Sequence, residues 1–169
     1  LKGDGWIADK FDKARLLNKP SQLPSLYLCL LVYPLHIREN EQFIQRLNIP
    51  TKLAKVLRDT LRLKSQLHLL EKPPMKHSEI YYLLFEYSPL AIQTNAIASK
   101  YPAVCSNLEL FLSKLRYVKT ILTGEEIKRL GISPGPELGK ILRVLHKAKL
   151  DREVGTRADE ERLALSLKP

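Results

Sequence analysis

The sequence predicts an all-α protein, with a multi-helix body at residues 1–116 followed by a small helical tail at residues 117–169. Apolar residues recur every three or four positions through most of the chain, which is the spacing of one helix face. No stretch shows the two-residue alternation of a strand bounded by hairpin turns. Eleven prolines against seven glycines fit helices that begin at a proline better than hairpins that close at a glycine.

Seven helices are predicted for the body from this spacing and from the positions of the prolines. The segment from Leu26 to Val32 is apolar almost all round, which predicts a buried central helix that ends before Pro34. Thr51 and Ser78 are expected to cap the fourth and fifth helices, because a hydroxyl at that position accepts a hydrogen bond from a free N–H. The predicted helices cover residues 5–18, 26–32, 38–47 and 52–70, a stretch that begins at residue 78, and residues 89–97 and 102–115.

Two further helices joined by a tight connection are predicted for the tail. The first covers residues 125–130, and Gly131 can take the left-handed conformation that commonly ends a helix. The second has Pro136 in its first turn, where a missing N–H costs nothing. Gly135 and Gly139 leave backbone uncovered at the start of this helix, where free N–H groups and the positive end of the dipole favour a phosphate.

Basic residues form matching stripes on two of the predicted helices, one in the tail and one in the body. Both stripes have a spacing of three and then four residues, so each lies on one helix face. The two stripes either line one groove or are independent solvated faces, because exposed helix surfaces carry charge by default. The residues are Lys140, Arg143 and Lys147 in the tail, and Lys55, Arg58 and Arg62 in the body.

The charge of the chain indicates the class of partner that it binds, and its cysteine content indicates the compartment in which it works. The net charge of +10, from 28 Lys and Arg against 18 Asp and Glu, favours a polyanionic partner. Cys29 and Cys105 lie in apolar stretches without a Cys or His at metal-binding spacing, so we expect no zinc and two buried thiols in a reducing cytoplasm. Residues 27–33 are apolar but far too short to span a bilayer. The chain begins with Leu, and we expect it to be a piece of a longer protein.

A dense pattern of glycine, proline and apolar residues runs through the tail. Its residues are Leu122, Gly124, Glu126-Ile127, Leu130-Gly131-Ile132, Pro134-Gly135-Pro136, Leu138-Gly139, Ile141-Leu142, Ala148 and Leu150-Asp151-Arg152-Glu153-Val154, followed by Asp159-Glu160-Glu161. This pattern resembles the C-terminal tail signature of bacterial tRNA nucleotidyltransferases, the CCA-adding and A-adding enzymes grouped with the class II poly(A) polymerases. Two residues depart from it: Glu126 replaces the commoner Asp, and Arg152 replaces a Gly, which puts the tight turn after the long helix in question.

The resemblance implies that the tail grips the elbow of tRNA near the TΨC loop, while a catalytic N-terminal head of the same polypeptide extends the tRNA 3′ end. In the family, a Gly-Ser pair in that head precedes a strand with Asp-x-Asp, whose two carboxylates hold Mg²⁺ for reaction with ATP or CTP. This sequence contains neither motif. We therefore expect no catalytic residue and no cofactor in this chain, and no activity from it alone.

The leading hypothesis is a tRNA-binding region of such an enzyme. A-form RNA presents phosphates and 2′-hydroxyls, so an uncovered helix start beside a basic stripe suits its recognition by shape and charge. The candidate RNA-binding residues are Gly135, Gly139, Lys140, Arg143 and Lys147, then Lys119, Lys128 and Arg129, and the body stripe Lys55, Arg58 and Arg62.

Two other functions fit the same residues. The stretch from Leu130 to Gly135, followed by Gly139, is also similar to a helix-hairpin-helix, a module that grips the phosphates of duplex DNA through glycine amides. The third hypothesis is a helical protein-interaction module whose basic surface serves solubility or an acidic protein partner. Competition between tRNA and duplex DNA separates the first two, and tRNA binding no better than that of an uncharged control favours the third.

Overall fold

The computed structural model describes residues 5–17, 20–72 and 74–168, and within them the all-α prediction is confirmed. The described chain forms ten α-helices and three short 3-10 turns, and no strand. The 3-10 turns cover Pro20–Gln22, Leu67–Leu70 and Leu115–Tyr117. The helices are α1 (Gly5–Leu17), α2 (Leu23–Val32), α3 (Ile37–Arg46), α4 (Thr51–Lys64), α5 (His77–Leu84), α6 (Pro89–Ala98), α7 (Pro102–Ser113), α8 (Gly124–Arg129), α9 (Pro136–Leu150) and α10 (Arg157–Ser166).

The fourth helix is shorter than the predicted 52–70 and is not capped by Thr51. Thr51 is the first residue of α4, after Pro50, and its side chain makes no capping hydrogen bond. The helix ends at Lys64, where the Ser65 hydroxyl donates to the Arg62 carbonyl at 2.7 Å. Such serine-to-backbone bonds compete with helix continuation, so the chain tightens into the 3-10 turn at Leu67–Leu70.

The start of α5 also differs from the prediction, because Ser78 lies inside the helix and is not its cap. Lys76 occupies the cap position, and its N–H donates to the Glu79 carboxylate at 3.0 Å. The N–H and hydroxyl of Ser78 instead donate to the two oxygens of Asp151, at 2.8 and 2.7 Å. The free N–H groups at the start of a helix need an acceptor, and here a carboxylate from the tail supplies it.

The body is built around α6, whereas the sequence pattern had indicated a central helix at Leu26–Val32. Helix α6 packs against α1, α2, α4 and α7, and most of its residues are buried on every side. Its buried Asn95 donates to the carbonyls of Thr60 and Ala91, at 3.0 and 2.9 Å, and accepts a hydrogen bond from the Tyr33 hydroxyl. Small side chains at this helix let its neighbours approach closely, which an amphipathicity argument does not detect.

The tail has its own apolar core, which joins α8, α9 and α10. The buried residues of this core are Leu122, Ile127, Ile132, Ile141, Leu145 and Ala164. The end of α9 leaves this core and enters the body, because Leu150 packs in the main body cluster with residues of α4, α5 and α7. The tail is therefore fixed against the body chiefly through the contact of α9 with α5.

The turn after α9 forms although Arg152 stands where the related signature has glycine. Arg152 adopts a positive φ of 59°. The N–H of Arg152 donates to the Lys149 carbonyl at 3.2 Å, and that of Glu153 donates to the Ala148 carbonyl at 2.8 Å. This is the hydrogen-bond pattern of a Schellman helix end. The turn is thus kept, at the conformational cost of a left-handed non-glycine residue.

Candidate nucleic-acid interface

An open cleft of about 540 Å³ lies at the junction of body and tail. Its walls come from α5, from the link after α7 and from α9. Three of its lining side chains are cationic and none is acidic. The lining residues are Tyr81, Tyr82, Arg116, Val118, Lys119, Thr120, Leu122, Thr123, Leu142, Arg143 and His146. We call this feature the junction cleft.

His146 of α9 holds the two walls of the junction cleft together. Its Nε2 lies 3.1 Å from the carbonyl oxygen of Val118, and because a carbonyl only accepts, that nitrogen carries the proton. The Tyr82 hydroxyl lies 3.3 Å from Nδ1 and 3.4 Å from the carbonyl oxygen of Arg143, so these two atoms share its one proton. Both contacts of this histidine are with groups of the protein, so it has a packing role.

Arg143 is placed over the ring of Tyr82, with its guanidinium carbon 5.0 Å from the ring centroid. A cation over an aromatic face is attracted by the ring while its N–H groups stay free to donate. Burial raises the pKa of Tyr82, and nearby Arg143 partly opposes that shift. The arginine is therefore oriented without being neutralised.

Four of the predicted basic residues of the tail form no ion pair among the residues that the structure describes: Lys119, Arg129, Arg143 and Lys147. All four are exposed. Lys140 pairs with Glu137 at 2.8 Å, and Lys128 pairs with Glu125 at 2.7 Å, both within one helix turn. The bond to Glu137 raises the pKa of Lys140. Exposed pairs of this kind contribute little to stability.

The predicted body stripe has a different environment, because each of its cations has an acidic partner. Lys55 bonds to the buried carboxylate of Asp59 at 2.8 Å. Arg58 makes a two-pronged contact with Glu41, at 2.7 and 2.8 Å, and this contact raises the pKa of Arg58. Arg62 lies 3.5 Å from Glu86 and 4.9 Å from the centroid of a tyrosine ring, that of Tyr87.

The two basic stripes belong to different parts of the packing. Helix α4 packs mainly on α2, α3 and α6, whereas α9 packs mainly on α5, α8 and α10. The junction cleft brings Arg143 together with Lys119, and no residue of α4 lines it. Of the predicted RNA-binding residues, Lys119 and Arg143 therefore line the junction cleft, and those of the α4 stripe do not.

The glycine-rich start of α9 is open, as the sequence indicates. Gly131 has a φ of 82° and Gly135 a φ of 147°, so both occupy conformations that favour glycine. A Cβ atom placed on Gly135 or Gly139 would meet no atom within 4 Å. The absence of a side chain at Gly139 therefore serves no packing need within the described chain, and its backbone is uncovered.

Arg116 is the cationic residue of the cleft that sequence reasoning missed. It sits in the 3-10 turn after α7, which the sequence predicts as the end of one long helix, and its guanidinium lies 4.8 Å from the Tyr117 ring centroid. The adjacent basic and aromatic residues at the body–tail boundary were the available signal.

Of the cysteines predicted to be buried, Cys29 is buried and Cys105 is only half-buried.

Comparison with known proteins gives one partial match. Over 93 residues, the chain is 33% identical to the A-adding tRNA nucleotidyltransferase of Geobacter sulfurreducens. The match covers 55% of this chain and 11% of the relative, so the matched part spans about a tenth of the length of that protein. The match supports a relation to that enzyme family. No family model matches the chain, and no solved structure matches it.

Among the residues that the structure describes, no group of three or more His, Cys, Asp or Glu side chains is arranged to hold a metal ion. No described helix is both long and apolar enough to cross a membrane.

Proposed function

We propose that this chain binds tRNA as part of a longer tRNA nucleotidyltransferase. The partial match to an A-adding tRNA nucleotidyltransferase supplies the class of RNA. The observation that carries the binding role is the junction cleft, where Arg116, Lys119 and Arg143 line one surface without an acidic residue among them. A-form RNA is recognised largely through its phosphates and 2′-hydroxyls, and this lining offers such groups both cations and hydroxyls.

The proposal assigns two kinds of contact to the tail. The exposed cations Arg143 and Lys147 on α9 bind phosphates at a distance, and their effect depends on salt. The uncovered backbone at Gly135 and Gly139 lets a phosphate or ribose approach the start of α9 closely. Together they fit a rigid, curved surface such as the tRNA elbow, which we propose as the contact of the tail.

Nucleotidyl transfer is not assigned to this chain in the proposal. The sequence has no Gly-Ser pair and no Asp-x-Asp, and in the enzyme family that its tail resembles the two Asp-x-Asp carboxylates hold two metal ions. The proposal places Mg²⁺ and ATP or CTP in a catalytic head of the same polypeptide. The chain supplies the grip that keeps the tRNA 3′ end in register with that head.

The test is tRNA binding across a salt series, with two double variants of equal charge change. Arg143→Ala with Lys147→Ala is expected to weaken binding and to flatten the salt dependence by roughly 1 to 2 in slope, because about 0.7–0.9 is lost per phosphate contact. Lys55→Ala with Arg58→Ala removes the same charge from the neutralised stripe and is expected to change the slope much less.

Competing polyanions decide between this function and its alternatives. Folded tRNA is expected to displace labelled tRNA better than an RNA duplex or a DNA duplex of the same length. A preference for the DNA duplex would favour a helix-hairpin-helix role for the Gly131–Gly135 connection. An equal salt slope for the two double variants would refute the assignment of Arg143 and Lys147.

A further inference from the structure

An aromatic cluster lies at the C-terminal end of α5, beside the junction cleft. The rings of Tyr81 and Phe85 are stacked, with centroids 5.8 Å apart and planes 7° from parallel. The ring of Tyr82 meets Phe85 edge-on at 5.8 Å, and His146 meets Tyr81 edge-on at 4.7 Å. The cluster is a chain of contacts in which each ring fixes the orientation of the next.

Phe85 is the outermost member of this cluster and is 48% exposed. The ring of Tyr81 lies parallel to that of Phe85, so the Phe85 ring is oriented while about half of the residue is exposed. A single exposed aromatic residue is ordinary in a soluble protein. Phe85 differs from a simple apolar patch because cationic side chains lie near it.

Two arginines lie close to the residues around Phe85. On the tail side, Arg143 lies over Tyr82, whose ring contacts Phe85. On the body side, Arg62 lies 4.9 Å from the ring centroid of Tyr87 and 3.5 Å from Glu86, the residue that follows Phe85. Phe85 thus lies between Arg143, which lines the junction cleft, and the Arg62–Glu86 pair of the body.

We propose that Phe85 is a stacking platform for an unpaired base of an RNA whose backbone lies along the junction cleft. The inference deepens the proposed tRNA-binding function and rests on it. A flat, half-exposed ring near Arg143, a guanidinium with no ion pair among the described residues, matches the requirement of a nucleotide, which has a π face joined to a phosphate. An apolar protein partner would gain nothing from the cations, whereas an RNA strand uses both features.

The ring is also held in place before an RNA arrives. Its parallel contact with Tyr81 and its edge contact with Tyr82 restrict its rotation. A platform that is already oriented loses little conformational freedom on binding. Because every base has a π face, the platform selects an unpaired base without selecting its identity.

The experiment uses tryptophan fluorescence, which falls when a base stacks on the indole ring. The chain has one tryptophan, Trp6, which is stacked on Tyr33. Combining Trp6→Phe with Phe85→Trp places the sole indole on the platform. Two hairpin RNAs are titrated, one fully paired in its stem and one with a single unpaired nucleotide. Stronger quenching by the second RNA is expected.

A matched reporter is available at Tyr101, which is 58% exposed and precedes α7. It lies at the opposite end of α7 from Phe111, the α7 residue that contacts Tyr81. Combining Trp6→Phe with Tyr101→Trp is expected to give equal quenching with both RNAs. In parallel, Phe85→Leu should weaken binding of the bulged RNA by roughly tenfold and leave the paired RNA unaffected, while Phe85→Tyr keeps both affinities.

The outcomes separate this inference from the function on which it rests. Binding of both RNAs, without the difference in quenching and without an effect of Phe85→Leu, overturns the platform and leaves RNA binding in place. Binding of neither RNA overturns the tRNA-binding function and the platform with it. Selective quenching at position 85, lost at position 101, supports the platform.

Discussion

The basic stripes of α4 and α9 have the same spacing in the sequence and different electrostatic surroundings in the fold. Each cation of the α4 stripe meets a carboxylate, and two of the three carboxylates come from other elements. On α9, Lys140 pairs with Glu137 of the same helix turn, whereas Arg143 and Lys147 meet no carboxylate among the described residues. The spacing of charges along a helix therefore indicates which face is exposed, whereas the partners that the fold brings to that face decide whether the charge is available.

The largest expected effect concerns the anchor that keeps the tail helices in place. Glu160 is fully buried and accepts hydrogen bonds from the N–H groups of Ile121 and Leu122, at 2.8 and 2.9 Å, with Lys149 at 3.3 Å. Glu160→Ala leaves the buried N–H of Leu122 and the part-buried N–H of Ile121 without their acceptor and removes the ion pair with Lys149, so we expect a loss of about 3 kcal/mol in the free energy of unfolding.

Urea unfolding measures that loss, and the exposed Glu125→Ala serves as its control, with an expected change below about 1 kcal/mol. If the Glu160 variant lost no more stability than the control, the tail would not be anchored through this carboxylate. Glu160 would then not be the group that holds α9, and with it Arg143 and Lys147, in a fixed position.

A smaller effect is expected at the start of α9, where we propose that RNA approaches the uncovered backbone. Gly139→Ala meets no atom within 4 Å, and alanine favours a helix over glycine, so we expect a gain of about 0.5–1 kcal/mol in the free energy of unfolding. The added methyl group should at the same time weaken tRNA binding, because it covers backbone that the RNA approaches. Chemical denaturation and a binding titration on the same sample check both; a variant that is more stable and binds equally well would remove the backbone contact from the proposal.

A substitution in the body should make the α4 stripe more like the α9 stripe. Glu41→Gln removes the carboxylate that holds Arg58, so that the body stripe gains a free cation. Exposed ion pairs contribute little to stability, and we expect unchanged folding with an increase in RNA affinity of about twofold at low salt. Glu71→Gln makes the same change in net charge away from both stripes. An equal rise for the two variants would show that net charge, and not the local pairing of Arg58, sets the affinity.

The smallest expected effect is the response of the tail to acid. The Thr123 N–H and hydroxyl, and then Arg157, hold the pKa of Glu126 down at about 2, from 4.5. A carboxylate with a lowered folded-state pKa contributes stability above its unfolded pKa and loses it as the pH falls. Tail stability should therefore decline from about pH 4.5 toward pH 2, and Glu126→Gln should reduce that decline in urea unfolding at several pH values. An unchanged decline would assign it to other carboxylates, such as Asp159, whose pKa is also lowered.

Local sequence patterns predict the fold class and the open start of α9, and the structure explains why. Helical periodicity, a proline in a first turn and a glycine at a helix end are all properties of neighbouring residues. The structure agrees on Gly131, which has a positive φ, and on Pro136, which starts α9.

The features that the sequence does not show depend on residues far apart in the chain. Ser78 is bonded by Asp151 across 73 positions, and Arg58 by Glu41 across 17 positions. Arg116 enters the junction cleft only because α7 ends early in a 3-10 turn. The availability of a charge and the identity of a helix cap are set by such long-range packing, which periodicity does not report.

The bond between Asp151 and Ser78 gives the molecule an internal reporter of tail docking. The Ser78 amide belongs to the body, yet its acceptor belongs to the turn that follows α9. Its hydrogen exchange with solvent requires the tail to separate from α5, so the exchange rate measures the free energy of that separation. An RNA that bridges body and tail should slow exchange at this one amide, and an RNA that touches only the tail should not.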